Sequence, residues 1–155
     1  MVGNLTEEEM KEVLRNNIIG RIGCNDGERT YVVPVSYLFD GDNIIAHSLE
    51  GMKIHMMRRN PEVCFEVDEM TSFTNWRSVI LWGQYEEIKD ERERVEAMDS
   101  FVHRMLRLKI SETAQTPETS RIRLHPRTGK LRTIVYRIVV NKMTGKFEDD
   151  IERVD

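Results

Sequence analysis

The sequence predicts a mainly β domain with peripheral helices, in which an antiparallel sheet of six strands closes into a barrel. The segment from Arg29 to Phe39 alternates its apolar side chains with a period of two, which is typical of a strand. Asp26-Gly27 and Asp40-Gly41 each separate two apolar runs, and this dipeptide favours a tight hairpin turn. Strands joined by hairpins pair in antiparallel fashion, and closing such a sheet into a barrel removes its exposed edges.

Length and composition indicate one globular domain, predicted over residues 1–147, followed by a charged tail over 148–155. Apolar residues make up 39% and charged residues 32% of the chain, which argues against disorder. The formal charge of −4 disfavours a dedicated binder of duplex DNA, because such proteins carry a strong positive footprint. The longest apolar run, Val79 to Trp82, has four residues, so no membrane span is expected.

The N-terminus and the cysteines predict the compartment. Residues 1–7 contain neither the basic nor the apolar stretch of a signal peptide. Cys24 and Cys64 lack the C-x-x-C spacing and lie inside apolar segments. We therefore expect a cytoplasmic protein with two free, inert thiols.

Local signals predict the remaining elements. Thr6 and Glu9 form a capping box, which predicts a helix that ends near Asn16-Asn17. Pro34 has no amide hydrogen, so its strand is expected to have an edge or a bulge there. The other predicted elements are strands over 18–24, 44–48, 62–68, 76–88 and 131–140, helices over 51–60 and 90–106, and a loop or short helix over 107–131. The third helix should bury a stripe of Val95, Met98, Val102, Met105 and Leu106, and Thr144-Gly145-Lys146 should end the last strand.

No single motif assigns a reaction. The sequence contains no G-x-G-x-x-G, no G-x-x-x-x-G-K-[ST], no H-E-x-x-H and no G-x-S-x-G. The four histidines have no cysteine or carboxylate at zinc spacing, so no metal site is predicted.

The segment from His47 to Lys53 is a candidate anion site. A strand ends here, and Gly51 begins a helix that carries Lys53 in its first turn. Helix N-termini favour anions, because they present N–H groups without intrahelical partners and the positive end of the helix dipole. Arg77 and Ser78, at the start of a long strand, offer a guanidinium and a hydroxyl that suit phosphate oxygens. We expect Lys53 and Arg77 to converge on one phosphate group, with the strand from Pro34 to Tyr37 against a planar ring.

The order of four short motifs resembles a known family. P-V-S-Y at 34–37, H-S-x-x-G-x-K at 47–53, N-P-x-V at 60–63 and R-S-V-x-x-x-G at 77–83 follow one another as in the FMN-binding split-barrel family. This family is named for pyridoxamine 5′-phosphate oxidase. The similarity is greatest to the branch that includes the nitroimidazole-resistance proteins; it spans 18–88 and resumes at 136–146.

The resemblance implies a split barrel that forms a homodimer with FMN at the subunit interface. It also implies two-electron transfer from a reduced nicotinamide or another flavin to a small oxidised organic molecule, such as a nitro compound. His47 would be the candidate acid or base, because an imidazole titrates near neutral pH. The implied flavin contacts are Val35, Ser36, His47, Ser48, Lys53, Arg77 and Ser78, with Lys53 on the phosphate and Arg77 and Ser78 completing the phosphate and ribityl contacts.

Alternatives stay open at this stage. Related barrels hold haem or a deazaflavin, and haem would need His47 or His125 as its ligand. A non-enzymatic module that binds flavin or nucleic acid is a further alternative. Residues 104–137 contain nine Lys and Arg against two Glu, which suits RNA or a phosphorylated partner, although the lack of interleaved aromatic residues disfavours nucleic acid. A basic loop that pairs with acidic helices or with another subunit explains the same composition. The sequence also departs from the oxidase proper at Val33 to Tyr37 and at His47, which argues against pyridoxamine phosphate as the substrate.

Overall fold

A computed structural model describes residues 1–107 and 133–150 of the chain. These residues form seven strands and three helices. In chain order the elements are β1 (Val2–Asn4), α1 (Glu7–Asn16), β2 (Ile19–Asn25), β3 (Thr30–Phe39), β4 (Ile44–Ser48), α2 (Met52–Arg59), β5 (Glu62–Ser72), β6 (Asn75–Glu87), α3 (Glu91–Arg107) and β7 (Ile134–Glu148). None of the described helices is long and apolar enough to cross a bilayer.

The strands form one closed antiparallel sheet. Their order is β1-β7-β4-β3-β2-β5-β6, and β6 also pairs with β7, so six strands make a ring and β1 is appended to β7. This arrangement confirms the predicted six-stranded barrel. The hairpin turns contain Gly27 and Gly41 at φ values of 97° and 103°, a conformation that favours glycine.

Helix α1 closes one end of the barrel. Its capping box is present as predicted: the Glu9 amide donates to Thr6 Oγ1 at 3.2 Å, and the Thr6 amide donates to Glu9 Oε2 at 2.9 Å. The hydroxyl of Tyr37, which is fully buried in the barrel, donates to the Leu14 carbonyl at the end of the helix over 2.7 Å. The Tyr37 ring also meets the edge of Phe65 at a centroid distance of 5.1 Å. The helix and the barrel therefore share one core.

Strands β3 and β4 separate beside Pro34. The last paired residues are Tyr37 and Ala46, and β3 has no partner on its β4 side from Ser36 back to Pro34. The predicted edge at Pro34 is thus confirmed. Strand β4 continues instead along β7, where His47 pairs with Val135. The two strands leave a gap in the barrel wall at this point.

The predicted end of the last strand is wrong. Strand β7 continues through Thr144-Gly145-Lys146 to Glu148, because it pairs with β6 along this length and with β1 at its end. Gly145 does not make a turn here. A Cβ atom at this position would lie 2.7 Å from Met10 Cγ and 2.9 Å from Leu5 Cβ, so glycine allows the close approach of α1.

The buried stripe of α3 is rotated from the predicted one. Met98 and Met105 are buried as expected, but Phe101 lies between them, whereas Val95 and Leu106 are 42% and 48% exposed. Residues 108–131 of the predicted loop over 107–131, most of the basic segment and His125 lie outside the described residues, while Arg107 ends α3. Cys24 and Cys64 are both free thiols.

Candidate functional site

A cavity of about 300 Å³ occupies the gap between β3 and β4. It is lined by Pro34, Val35, Ser36, His47, Ser48, Leu49, Lys53 and Thr133. Five of the seven predicted flavin contacts therefore lie around one cavity: Val35, Ser36, His47, Ser48 and Lys53. The cavity exists because β4 leaves β3 after Ala46 and then leads into α2.

The N-terminus of α2 has the features of an anion site. Gly51 is the N-cap and supplies no side-chain hydrogen bond, and the first turn contains no acidic residue. The N–H groups of this turn therefore have no capping side chain, and the positive end of the helix dipole is not offset. Lys53 adds a full positive charge in the same turn and lines the cavity.

Lys53 carries its charge in a partly desolvated position. Its side chain is half-buried, and burial lowers the pKa of its ammonium group. Across the described ranges, no carboxylate lies within ion-pair distance of Lys53, although eleven other pairs form there. A partly buried cation without a counterion is unfavourable, so an anion in the cavity would be stabilised.

His47 is fixed by α3. Its imidazole meets the Phe101 ring edge to face, with centroids 4.7 Å apart and an interplanar angle of 89°. Phe101 is 1% exposed, so the contact joins the cavity wall to the core beneath α3. Beside it, the hydroxyl of Ser48 donates to the Leu49 carbonyl at 2.8 Å and keeps its oxygen as an acceptor.

Thr133 is a cavity residue that the sequence analysis missed. It is 4% exposed, and its carbonyl accepts a hydrogen bond of 2.6 Å from Arg94 Nη2. Arg94 also pairs with Glu91 at 3.1 Å, so α3 holds the start of β7 against the cavity. A single threonine before an apolar run carries no signal that would have identified it.

Arg77 and Ser78 do not line this cavity in a single chain. The Arg77 guanidinium pairs with Glu69 at 2.8 Å and with Glu12 of α1 at 3.3 Å, and it lines a separate cavity. Ser78 donates to Glu66 at 3.4 Å. Neighbouring residues of a strand point to opposite faces of the sheet, which separates the two side chains. The expected convergence of Lys53 and Arg77 is therefore not found within one chain.

The side chains of β3, β2, β5 and β6 that point away from the barrel core form one surface, which we call the outer face. Ser78 and Ser36 both lie on this outer face. Arg21 lies at the centre of this outer face and pairs with Asp68 at 2.7 Å and Glu66 at 3.5 Å. Ser36 is on β3 and Ser78 is on β6, with β2 and β5 between them. Three strand spacings of roughly 4.8 Å place the two serines about 14 Å apart. The outer face also exposes Ile19, Val32, Ile80 and Trp82, at 43%, 65%, 38% and 42%.

The ring of six strands, with its cavity at the separated pair, defines a split-barrel protein. The model of the pyridoxamine 5′-phosphate oxidase family matches residues 6–147, so the chain belongs to this family. The resemblance drawn from the sequence motifs is thus confirmed.

Two solved structures share the fold of this chain, and one curated relative is similar to it over about half of its length. A FAD-binding protein from Mesorhizobium loti is 26% identical, with a TM-score of 0.73 over 96% of this chain and 99% of that one. A candidate 5-nitroimidazole antibiotic resistance protein from Bacteroides thetaiotaomicron is 21% identical, with a TM-score of 0.69 over 95% of this chain and 87% of that one. An uncharacterised protein of Rhizobium meliloti (strain 1021) is 32% identical over 84 residues, which cover 54% of this chain and 56% of that relative.

Proposed function

We propose that the protein binds FMN in the cavity between β3 and β4 and acts as an oxidoreductase. The observation that carries this proposal is Lys53, a half-buried cation without a carboxylate partner in the described part of the chain, beside a helix N-terminus without a side-chain cap. A phosphate group satisfies both features at once. The likeness to a FAD-binding protein that is 26% identical supports a flavin as the bearer of that phosphate.

Each cavity residue then has a role that fits its chemistry. Lys53 and the first turn of α2 bind the phosphate, and Ser48 offers a hydroxyl to the ribityl chain. Val35 supplies apolar surface, and Ser36 supplies polar groups at the edge of the ring. The flavin, when bound, supplies the redox chemistry. His47 holds or moves a proton at its imidazole, and the Phe101 contact restricts the orientation of that ring.

A second copy of the chain is proposed to cover the outer face. Isolated monomers seldom expose several large apolar side chains on one sheet face, as Val32 and Trp82 are exposed here. A two-fold axis that lies in the interface and runs parallel to the strands, through the middle of this face, would place β6 of one copy over β3 of the other. Ser78 of the second copy would then approach the cavity beside Ser36. Arg77 of the second copy could reach the cavity only if its ion pairs with Glu69 and Glu12 were broken. The geometry therefore supports Lys53 as a phosphate ligand more directly than Arg77.

The proposed reaction passes two electrons to a small oxidised organic molecule. A nitro compound is the leading substrate class, and the fold shared with a candidate 5-nitroimidazole resistance protein is consistent with it. A reduced nicotinamide is the proposed donor. It would bind transiently in the cavity, which suits a chain without a dinucleotide-binding motif.

Two measurements test the proposal. The purified protein should show flavin absorbance, or acquire it when FMN is added, and it should show no Soret band. Under anaerobic conditions, a nitroimidazole should reoxidise the dithionite-reduced holoprotein faster than it reoxidises free reduced FMN. A protein that takes up no FMN contradicts the binding site, whereas uptake without faster reoxidation contradicts only the proposed reaction.

A further inference from the structure

Arg58 ties together two parts of the chain beside the candidate anion site. It lies in the last turn of α2. Its Nη1 atom donates to Glu50 Oε1 at 2.9 Å, while Nη2 and Nε donate to the two oxygens of Glu87 at 2.8 and 3.2 Å. The two hydrogen bonds to Glu87 form a bidentate pair, which fixes the plane of the guanidinium.

Glu87 anchors this arrangement to the barrel. It is the last residue of β6, and its side chain is 18% exposed. Hydrogen bonds from Arg58 lower the pKa of the Glu87 carboxyl, so the carboxylate stays charged and holds Arg58. Because two guanidinium nitrogens are held by Glu87, the third, Nη1, is held in the direction of Glu50.

Glu50 is the only acidic residue between the end of β4 and the start of α2. It precedes Lys53 by three residues, in the same segment that supplies Ser48 and Leu49 to the cavity. A carboxylate in this segment opposes a bound phosphate, and it is also the nearest acidic group in sequence that could pair with Lys53. In the structure the Glu50 carboxylate instead pairs with Arg58, which lies in the last turn of α2.

We infer that Arg58 is a positioning residue for phosphate binding, which acts by holding the Glu50 carboxylate away from Lys53. The inference rests on the proposed function, because it concerns the same anion site. It explains why Lys53 has no carboxylate partner among the described residues although an acidic residue is close in sequence. It assigns no contact between Arg58 and the ligand.

The test compares FMN with riboflavin, which lacks the phosphate, by fluorescence titration of the full chain. Arg58→Gln should weaken FMN binding about fivefold and leave riboflavin binding unchanged. A fivefold change in affinity, or about that, is the upper end of what an exposed ion pair contributes. Arg59→Gln removes the same charge from the neighbouring position of α2 and should change neither affinity. The double variant Arg58→Gln with Glu50→Gln should recover at least half of the loss in FMN affinity, on a logarithmic scale, because the released carboxylate is no longer present.

Three results would overturn the inference. They are an unchanged FMN affinity in Arg58→Gln, an equal loss for FMN and riboflavin, and a double variant that binds FMN no better than Arg58→Gln alone. Circular dichroism confirms that each variant is folded. Wild-type protein that binds no FMN would refute the proposed function together with this inference, whereas normal binding by wild type with any of the three results refutes only the role of Arg58.

Discussion

Replacing Lys53 by methionine is the most direct test of the anion site. Lys53→Met removes the charge and keeps an unbranched side chain that fills similar space. A hydrogen bond to a charged group contributes about 1.5–3 kcal/mol, and the half-buried position of Lys53 places it in the lower part of that range. A loss of about 1.5–2 kcal/mol corresponds to an FMN affinity roughly 12- to 30-fold weaker.

The assay is a fluorescence titration with FMN and with riboflavin at two salt concentrations. Only FMN carries the phosphate, so its advantage over riboflavin should shrink in Lys53→Met while riboflavin binding stays the same. The salt dependence of FMN binding should also become shallower, because one ionic contact is lost. Lys11→Met is the matched control, since Lys11 lies on α1 and pairs there with Glu7.

The pH dependence of binding gives a second readout of the same residue. Burial lowers the pKa of Lys53 in the ligand-free protein, and a bound phosphate would favour the ammonium form and raise that pKa. FMN affinity is therefore highest below the lowered pKa of Lys53 and falls as the pH rises past that pKa. The fall should begin at a lower pH than it would for a lysine with an ordinary pKa. Lys53→Met should lack this alkaline decline. An unchanged FMN-to-riboflavin ratio together with an unchanged pH profile would refute Lys53 as the phosphate ligand.

Three further variants test the packing and the outer face. Tyr37→Phe leaves the buried carbonyl of Leu14 without its donor and should lower the free energy of unfolding by about 1–3 kcal/mol in urea titrations; an equally stable variant would show that this bond contributes nothing. Gly145→Ala pushes a methyl group against α1 and should cost about 1–3 kcal/mol by the same measurement, unless α1 moves away without loss. Trp82→Lys places a charge on the outer face and should convert a dimer to a monomer in sedimentation velocity, and wild-type protein that is itself monomeric would contradict the proposed second copy.

Local sequence signals were sufficient wherever local chemistry decides the structure. The capping box of α1, the two Asp-Gly turns and the alternation of β3 depend on neighbouring residues, and all are present as predicted. The edge at Pro34 was predicted from the same kind of local signal, because proline removes one donor from the ladder. Three residues of the motif from His47 to Lys53 that the sequence analysis singled out, His47, Ser48 and Lys53, line one cavity.

Other features depend on contacts between distant parts of the chain. Thr-Gly-Lys at 144–146 has the composition of a turn, but pairing with two strands keeps it extended. Arg77 is paired by Glu12, 65 residues earlier, which no local pattern reveals. Alternation along β6 places the side chains of Arg77 and Ser78 on opposite faces of the sheet, and this part of their separation could be predicted from the sequence.

Pro34 has a consequence for how the cavity stays open. The Tyr37 amide donates to Ile18, towards β2, and backbone groups alternate along a strand, so the nitrogen of Pro34 faces the gap. Pro34 therefore offers no amide donor on the side where the two strands separate, and it disfavours continuation of the ladder across the gap. Pro34 thus lies where the wall of the barrel is open. The space left between the two strands is the place in which a ligand can lie.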